Sequence, residues 1–317
     1  MRTPTLCLAC FPLFAFGVPM ASTAEIADTA DTSADSPTLA YIESVRSDNV
    51  RHSGRTAVVE FEDGERVPVT KYNGPASYEV IGPLAMEHDA LAHAASDRGD
   101  VADALSRALR RCQVAPTSLE DATAQVARVR AGDQFLLPRF GSPEMNLGSP
   151  EEREERYRNH MMRELTFCDG VTAKQKSQAD YWLAKAAGMG DPIAALNYAE
   201  QLGNRPEAFA FWVMAWQAGY ADALQSLARL YREGRSDVPI RSPDRVRAHT
   251  HQYLYVRLME SLGPTDRPMG RIRARLLAEA QNELQSLERE LKIGEREESI
   301  SQAKAMLKAN TNCCQPL

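Results

Sequence analysis

The chain has 317 residues, of which 44% are hydrophobic and 25% charged, and its formal net charge is −6 at pH 7. This composition is typical of a folded globular protein and excludes both a wholly disordered chain and a collagen-like repeat. Because the net charge repels phosphate, we expect no nucleic-acid partner. The length fits about two domains or one elongated array of repeats. Abundant alanine and only 7% aromatic residues favour packed helices over a large β-sandwich.

Residues 1–24 have the three parts of a secretory signal peptide. Arg2 precedes an apolar run over 6–20, and small residues lead to a cleavage site before Glu25. A lipoprotein anchor at Cys10 is the alternative, but it would leave almost no apolar segment before the cut. No later run approaches the ~20 apolar residues that span a bilayer. We therefore predict an exported protein without a membrane anchor, in the periplasm or, as the alternative, outside the cell.

Export makes disulfide bonds the default for the four cysteines beyond the signal peptide. Cys112 and Cys168 stand at the ends of predicted helices, and a bridge between them would contribute about 4 kcal/mol by restricting the unfolded chain. Two separately buried thiols are the alternative. Cys313 and Cys314 are adjacent and pair with each other only through a strained turn. Linkage to another chain, metal binding and a frayed end all remain open for them.

Residues 25–39 are small, polar and acidic, and they predict a disordered leader after the cleavage site. The segment 40–76 then holds two runs of alternating apolar residues on either side of Asp63-Gly64, a strong local signal for a β-hairpin. Pro68 in the second run predicts an edge strand, because proline has no N–H to donate to a neighbouring strand. Since an isolated hairpin is only marginally stable, we expect it to pack against helices.

From residue 77 the sequence predicts helices, with a helical-repeat domain over 77–262. The stretch from Thr117 to Glu120 resembles a capping box. The stretch from Ser149 to Glu152 offers an N-cap serine, a proline in the first turn and a glutamate at the third position, which predicts another helix start. Residues 132–149 contain several glycines and prolines and predict a loop that separates the two helices.

Two segments of this domain, 181–202 and 210–231, align at a spacing of 29 residues. The equivalent small residues are Gly190 with Gly219, Ala186 with Ala215, Ala194 with Ala223, and Ala199 with Ala228. We interpret each segment as a helical hairpin whose first helix ends at the glycine and whose alanines let the backbones approach closely. A partial third unit follows Gly234, and a weaker copy lies upstream around Ala94-Ala95 and Gly99.

This spacing resembles the Sel-one-like repeat of exported bacterial proteins, a relative of the tetratricopeptide repeat (TPR). The matching positions are Trp182, Ala186, Ala187, Gly190, Ala194, Ala199, Ala215, Gly219, Ala223, Leu227, Leu230, Tyr231, Gly234, Val238, Pro239, Asp244 and Ala248. The departures are Trp216 in place of an alanine, Ala228 where glycine is usual, and a missing long loop in the first unit. The resemblance implies a mainly α, TPR-like helical-repeat solenoid, which follows the small N-terminal β-hairpin.

The segment 263–308 predicts C-terminal capping helices, because apolar residues recur every three or four positions between charged ones. Gly294 is expected to end or kink the helix there. A terminal helix seals the last repeat of a solenoid. A coiled-coil dimerisation helix, and hence a homo-oligomer, is the alternative, although only three heptads are present. Residues 309–317 predict a flexible tail.

The sequence offers little chemistry. It contains no Gly-x-Ser-x-Gly elbow, no phosphate-binding loop and no His-Glu-x-x-His motif. His249 and His251 are two residues apart on a predicted helix, so they diverge and cannot share a metal. His160 and Glu164 are four apart and can meet, but no third ligand accompanies them. We therefore expect no catalytic, cofactor-binding or metal-binding residues.

The function predicted from these patterns is an exported adaptor that binds an unknown protein or peptide without catalysis, because the resembling repeats usually mediate protein–protein contact. Trp182, Trp212 and Trp216 are the candidate partner-binding residues, with burial in the core as the alternative. An assembly component that oligomerises through its C-terminal helix is the second hypothesis. A β-lactamase-like hydrolase is the third and least favoured, since some disulfide-bridged members of the resembling family are linked to β-lactam hydrolysis.

Overall fold

A computed structural model describes residues 36–52, 55–71, 78–130, 148–203, 205–234, 242–261, 268–310 and 312–313. The predicted signal peptide and the predictions for Val238, Pro239 and Cys314 lie outside the described residues, as do nearly all of the predicted leader and of the loop 132–149. The described chain is mainly helical with one small sheet. None of the helices in these ranges is long and apolar enough to cross a bilayer.

The elements follow one another along the described chain with short connections. The helices are α1 (Pro37–His52), α2 (Leu84–Ala94), α3 (Gly99–Val114), α4 (Leu119–Arg130), α5 (Pro150–Cys168), α6 (Ala173–Lys176), α7 (Ala179–Gly188), α8 (Pro192–Leu202), α9 (Ala208–Gln217), α10 (Asp222–Glu233), α11 (Arg245–Ser261), α12 (Pro268–Glu290) and α13 (Ile293–Ala309). The strands are β1 (Arg55–Glu60), β2 (Arg66–Lys71) and β3 (Asn312–Cys313).

The first helix, α1, begins inside the segment predicted as a disordered leader. The Ser36 hydroxyl oxygen accepts a hydrogen bond from the backbone N–H of Leu39 (3.2 Å). Ser36 also donates to the buried carboxylate of Glu87 on α2, which accepts a second bond from the Thr38 N–H (3.3 Å). The sequence analysis missed α1 because the group that anchors its first turn lies about 50 residues away on another helix.

The predicted β-hairpin is present. Strands β1 and β2 pair antiparallel, and Gly64 in the turn has a φ of 81°, a left-handed conformation that glycine adopts without strain. The hairpin packs against α11, where Phe61 stacks on Tyr253 with 6.2 Å between ring centroids. The edge-strand prediction for Pro68 is wrong, because β2 lies between β1 and β3. Strand β3 pairs only with residues 70–71, beyond the proline, and it occupies part of the predicted flexible tail.

Helices α7–α8 and α9–α10 form two successive helical hairpins. In the first, the backbone N–H of Asp191 donates to the Ala186 carbonyl (3.1 Å); 29 residues later, Tyr220 donates to Ala215 (3.0 Å). The glycines before these donors, Gly190 and Gly219, have φ values of 87° and 98°. The same bond therefore closes both corners. The second helix of each hairpin packs against the first helix of the next, as α8 does with α9 and α10 with α11.

Helices α4 and α5 form an insertion between α3 and α7. The predicted capping box at the start of α5 is confirmed by reciprocal bonds between Ser149 and Glu152. The predicted cap of α4 is shifted by one residue, because the Ser118 hydroxyl accepts from the Asp121 N–H (3.0 Å). The sulfurs of Cys112 and Cys168 lie at bonding distance, so the predicted bridge joins the end of α3 to the end of α5.

Two hydrophobic cores organise the described chain. The N-terminal core surrounds α3 and α7, and the C-terminal core surrounds α11, which also contacts β1, α12 and α13. The predicted C-terminal helix is divided at Leu291–Lys292, so Gly294 lies within α13 and does not end α12. The reason is a capping arrangement at Lys292, whose backbone N–H donates to Glu295 (2.8 Å).

Candidate functional site

The three tryptophans predicted as partner-binding residues are core residues. Trp182, Trp212 and Trp216 are 8%, 1% and 6% exposed. Each lies on the first helix of a hairpin, on the side that packs against neighbouring helices. Their rings therefore form no exposed binding platform, because hairpin packing covers them. Trp212 still borders a groove on the surface.

A histidine–serine pair that the sequence analysis did not identify lies in the C-terminal core. Nδ1 of His249 is 2.5 Å from Oγ of Ser299, and the Ser299 hydroxyl donates to the Arg296 carbonyl (3.0 Å). The histidine is consequently the donor in the pair and leaves the serine proton in place. Both side chains are 0% exposed. Burial lowers the pKa of His249 to about 4, so the pair is a neutral structural link between α11 and α13.

His160 and Glu164 do meet on α5, as their spacing predicts. Nδ1 of His160 lies 3.4 Å from Oε1 of Glu164, but the carboxylate is already held by two hydrogen bonds from Arg111 on α3. The Arg111 guanidinium also lies 4.0 Å from the ring centroid of Phe167. These contacts reinforce the disulfide between α3 and α5. Within the described residues, no cluster of three or more potential metal-ligating side chains occurs.

One Ser-x-x-Lys spacing, the motif of serine β-lactamases, escaped the sequence analysis. Ser301 and Lys304 stand on α13. The Lys304 ammonium forms ion pairs with Asp63 and, at 3.3 Å, with Glu65 at the turn of the β-hairpin. The hydrogen bond to Asp63 raises the pKa of Lys304 above its usual value. A lysine that is held protonated cannot accept the serine proton, so the geometry favours a structural role for Lys304.

The candidate functional site is a groove of about 620 Å³ on the surface of the helical hairpins, which we call the α8–α12 groove. Its lining residues come from α8 and its end, α9, α10, α11 and α12, and they are Glu200, Gly203, Trp212, Gln225, Ser226, Ala228, Arg229, Arg232, Gln252, Glu279, Glu283 and Leu287. Its volume is within the usual range of ligand-binding clefts. Buried Trp212, Ala228 and Leu287 contribute apolar surface, whereas most other lining residues are polar.

Arg232 holds the two sides of the groove together. From α10 its guanidinium donates to Glu283, to Glu290 (2.7 Å) and to the Ser286 hydroxyl (3.1 Å), all on α12. Gln252 of α11 donates to the Ala280 carbonyl (2.9 Å) and fixes α12 from below. These bonds position the helices that form the groove, and they leave Arg232 and Glu283 with satisfied charges.

A second group of lining side chains has no such partners. Gln225, Ser226 and Arg229 follow one another along α10 and make no side-chain hydrogen bond or ion pair with any described residue. The same holds for the carboxylate of Glu200 on α8. The groove therefore presents an arginine, a glutamate, an amide and a hydroxyl that are free to bind a ligand. This set suits recognition of a polar chain better than acid–base catalysis, because no nucleophile and base are paired within it.

The sequence analysis did not identify this groove. The only local signal is the polar row at 225, 226 and 229, which continues the same face of α10 towards residue 232. A helix with exposed polar residues is ordinary, and nothing in the sequence indicates that residues from 200 to 287 meet on one surface. The site depends on contacts between helices that are distant in the chain.

Comparisons with known proteins add no assignment. The chain matches no protein-family model, and no curated protein or solved structure is similar to it. The Sel-one-like resemblance therefore depends on the residues of this chain alone. The same is true of the function.

Proposed function

We propose that this chain is an exported helical-repeat adaptor, which binds a segment of another protein, or a peptide, in the α8–α12 groove and carries out no catalysis. The observation that carries this proposal is the set of unpartnered polar side chains at Glu200, Gln225, Ser226 and Arg229 along a groove of about 620 Å³. A polypeptide segment supplies backbone donors and acceptors, which match an amide and a hydroxyl, and side chains that match the charges.

The proposal includes membership of the Sel-one-like repeat family, with a solenoid built from α2–α3, α7–α8, α9–α10 and α11–α12. Its support is the recurrence of the same corner hydrogen bond after 29 residues, together with left-handed glycines at both corners. Successive helical hairpins in such a stack present an extended surface to a partner. Export, with the periplasm as the destination, is supported by the N-terminal sequence pattern and by the cysteine pair at bonding distance.

The C-terminal helices favour a capping role over self-association. Ala280 and Leu287 of α12 and Ala303 and Leu307 of α13 are buried in the C-terminal core of the same chain. A dimerisation helix needs a free apolar stripe, and these residues already use theirs against α11 and its neighbours.

Site-specific photocross-linking tests the proposed function. A photoreactive amino acid is placed at Gln225 in the groove or, as a matched control, at the exposed Gln285 on α12 outside it. Both variants are expressed in the native organism and irradiated. We expect one discrete protein or peptide adduct from the Gln225 variant and none from the Gln285 variant.

Two results would contradict the adaptor function. The first is the same pattern of adducts from both positions, which indicates contact by chance collision. The second is hydrolysis of a chromogenic cephalosporin by the purified chain that persists after Arg229→Gln, because turnover independent of the groove requires a different site. The oligomerisation hypothesis gains support only if the Gln225 adduct is a second copy of this chain.

A further inference from the structure

The charged residues of the α8–α12 groove differ in whether their charge is already neutralised. Arg232 and Glu283 pair with each other, and Glu279 accepts a hydrogen bond from Arg275 on its own helix (3.0 Å). The remaining two are Arg229 on α10 and Glu200 on α8, and neither has an ion-pair partner among the described residues. The groove thus contains one free positive charge and one free negative charge on different helices.

The position of the free arginine is a consequence of its neighbour. Arg232 lies three residues further along α10 and draws both Glu283 and Glu290 of α12 to itself. Glu290 also lies within 3.6 Å of Arg245, so the acidic residues of α12 on this side are occupied. Arg229 has no described carboxylate within ion-pair distance and retains all five of its N–H donors.

We infer that the α8–α12 groove selects peptide segments that carry an acidic residue, bound by Arg229, and a basic residue, bound by Glu200. This inference depends on the proposed function and specifies the partner's chemistry. An arginine guanidinium recognises a carboxylate through two parallel hydrogen bonds, which gives it a geometric preference for Asp and Glu side chains. Glu200 rejects a second acidic residue at its own position by like-charge repulsion, so the pair distinguishes segments by the order of their charges.

The polar residues between the two charges support an extended segment as the ligand. Gln225 and Ser226 lie on the same helix as Arg229 and are half-buried, with free donor and acceptor groups. A main chain that crosses the groove offers a carbonyl or an N–H at each residue to these side chains. A compact helical ligand satisfies its own backbone groups and leaves Gln225 and Ser226 without partners.

The test is selection of a displayed library of random 12-residue peptides on the immobilised intact chain and on three variants. Arg229→Gln and Glu200→Gln remove one charge each and keep a polar side chain of similar size. Arg289→Gln is the matched control, because Arg289 is an exposed arginine of α12 outside the groove and without an ion pair among the described residues. All four residue sites are on the surface of helices, so circular dichroism should verify an unchanged fold.

We expect peptides selected on the parent chain to be enriched in both an acidic and a basic residue at a constant spacing. Arg229→Gln should abolish the acidic preference and keep the basic one, and Glu200→Gln should do the reverse. A selected peptide should bind about fivefold more weakly to Arg229→Gln, as expected for the loss of one partly exposed charge pair. Arg289→Gln should change neither the selected residues nor the affinity.

The inference is overturned if the selected peptides show no charge preference, if Arg229→Gln keeps the acidic preference, or if no peptide is selected. None of these results decides the proposed function, which the cross-linking at Gln225 tests independently. A groove that cross-links a protein but selects peptides without regard to charge is an adaptor whose specificity comes from other residues.

Discussion

Around α3 and α7 the buried side chains are mostly Ala, Leu and Val, whereas around α11 they include Phe61, Trp212, Tyr253 and Tyr255. The N-terminal core contains the cysteine pair between α3 and α5. The C-terminal core has no such bond among its described residues, and it joins the hairpin near one end of the chain to helices near the other. Small side chains with a covalent link and large side chains with distant partners are thus two ways to stabilise neighbouring parts of one stack.

The buried ionisable groups of the two cores also differ. Asp191 caps α8 from the N-terminal core and lies near Asp103, and burial together with that neighbour raises the pKa of Asp191 to about 6. In the C-terminal core, burial lowers the pKa values of His249 and His251 to about 4. Each core therefore holds groups that favour their neutral forms, acids in one and bases in the other. The two cores should respond to pH in opposite directions.

Removal of the disulfide is the strongest way to break the difference between the cores. The double variant Cys112→Ala, Cys168→Ala should lose about 4 kcal/mol of unfolding free energy, because the reduced chain gains the freedom of a loop of 56 residues. Hydrogen exchange measured by mass spectrometry should show loss of protection in α3, α5 and α7. Equal loss in α11 would mean that the two cores unfold as one cooperative unit.

Truncation of Phe61 tests the C-terminal core in the same way. Phe61→Ala removes the ring that stacks on Tyr253 and should cost about 3 kcal/mol, measured by chemical unfolding. The matched control is Val58→Ala, because Val58 lies on the same hairpin but is 40% exposed. Protection from exchange should fall in the hairpin and α11 and persist around α3. A similar cost for both variants would show that the hairpin does not contribute to the core.

Acidification should separate the two cores. The unfolded chain binds protons to histidine near pH 6.5, before folded His249 and His251 do, so the C-terminal core should lose stability as pH falls from 6.5 to about 4. Folded Asp191 binds its proton near pH 6, before the unfolded residue does, so the N-terminal core should gain stability as pH falls from about 6 to 4. Each effect is on the order of 2 to 3 kcal/mol.

One group in the C-terminal core opposes its histidines. Burial raises the pKa of Asp222 to about 6, so its contribution increases on acidification and offsets about one histidine. Exchange protection measured region by region at pH 7, 5 and 4 should still decrease around α11 and increase around α8. Asp191→Asn keeps a capping side chain and should abolish the increase around α8. An increase that survives this substitution would assign the response to another group.

The smallest predicted effect concerns two neighbouring glycines. Gly190→Ala should cost about 1 kcal/mol, because a φ of 87° is strained for alanine although nothing lies within 4 Å of the added methyl group. Gly188→Ala adds a methyl group in equally open space within α7 and should stabilise by roughly 0.5 to 1 kcal/mol. Thermal unfolding of both variants measures the difference. The same sign for both would contradict the importance of the left-handed corner.

Features that depend on neighbouring residues were accessible from the sequence. Asp63-Gly64 predicted the hairpin, Asp191 predicted the start of α8, and the recurrence of Gly190 as Gly219 predicted the corners of two helical hairpins. In each case the turn chemistry is complete within about five residues. The pairing of Cys112 with Cys168 was accessible for another reason, since export limits the alternatives to a few.

Features that depend on distant contacts were not accessible. The start of α1 depends on Glu87, and the burial of Trp212 depends on how α9 packs against its neighbours. The groove is the clearest case. Arg229 and Arg232 look alike in sequence, but only the structure shows that α12 neutralises one and leaves the other free. Periodicity gives the face of a helix but not the helix that will cover it.

The stacking of Phe61 on Tyr253 also constrains the order of events in biosynthesis. A ribosome releases the hairpin early, but α11 follows only after about 190 further residues. Until then the apolar side of the hairpin has no native partner and is a target for chaperones. A chain that postpones this closure stays unfolded for most of its synthesis, which is the state that secretion through a narrow channel requires.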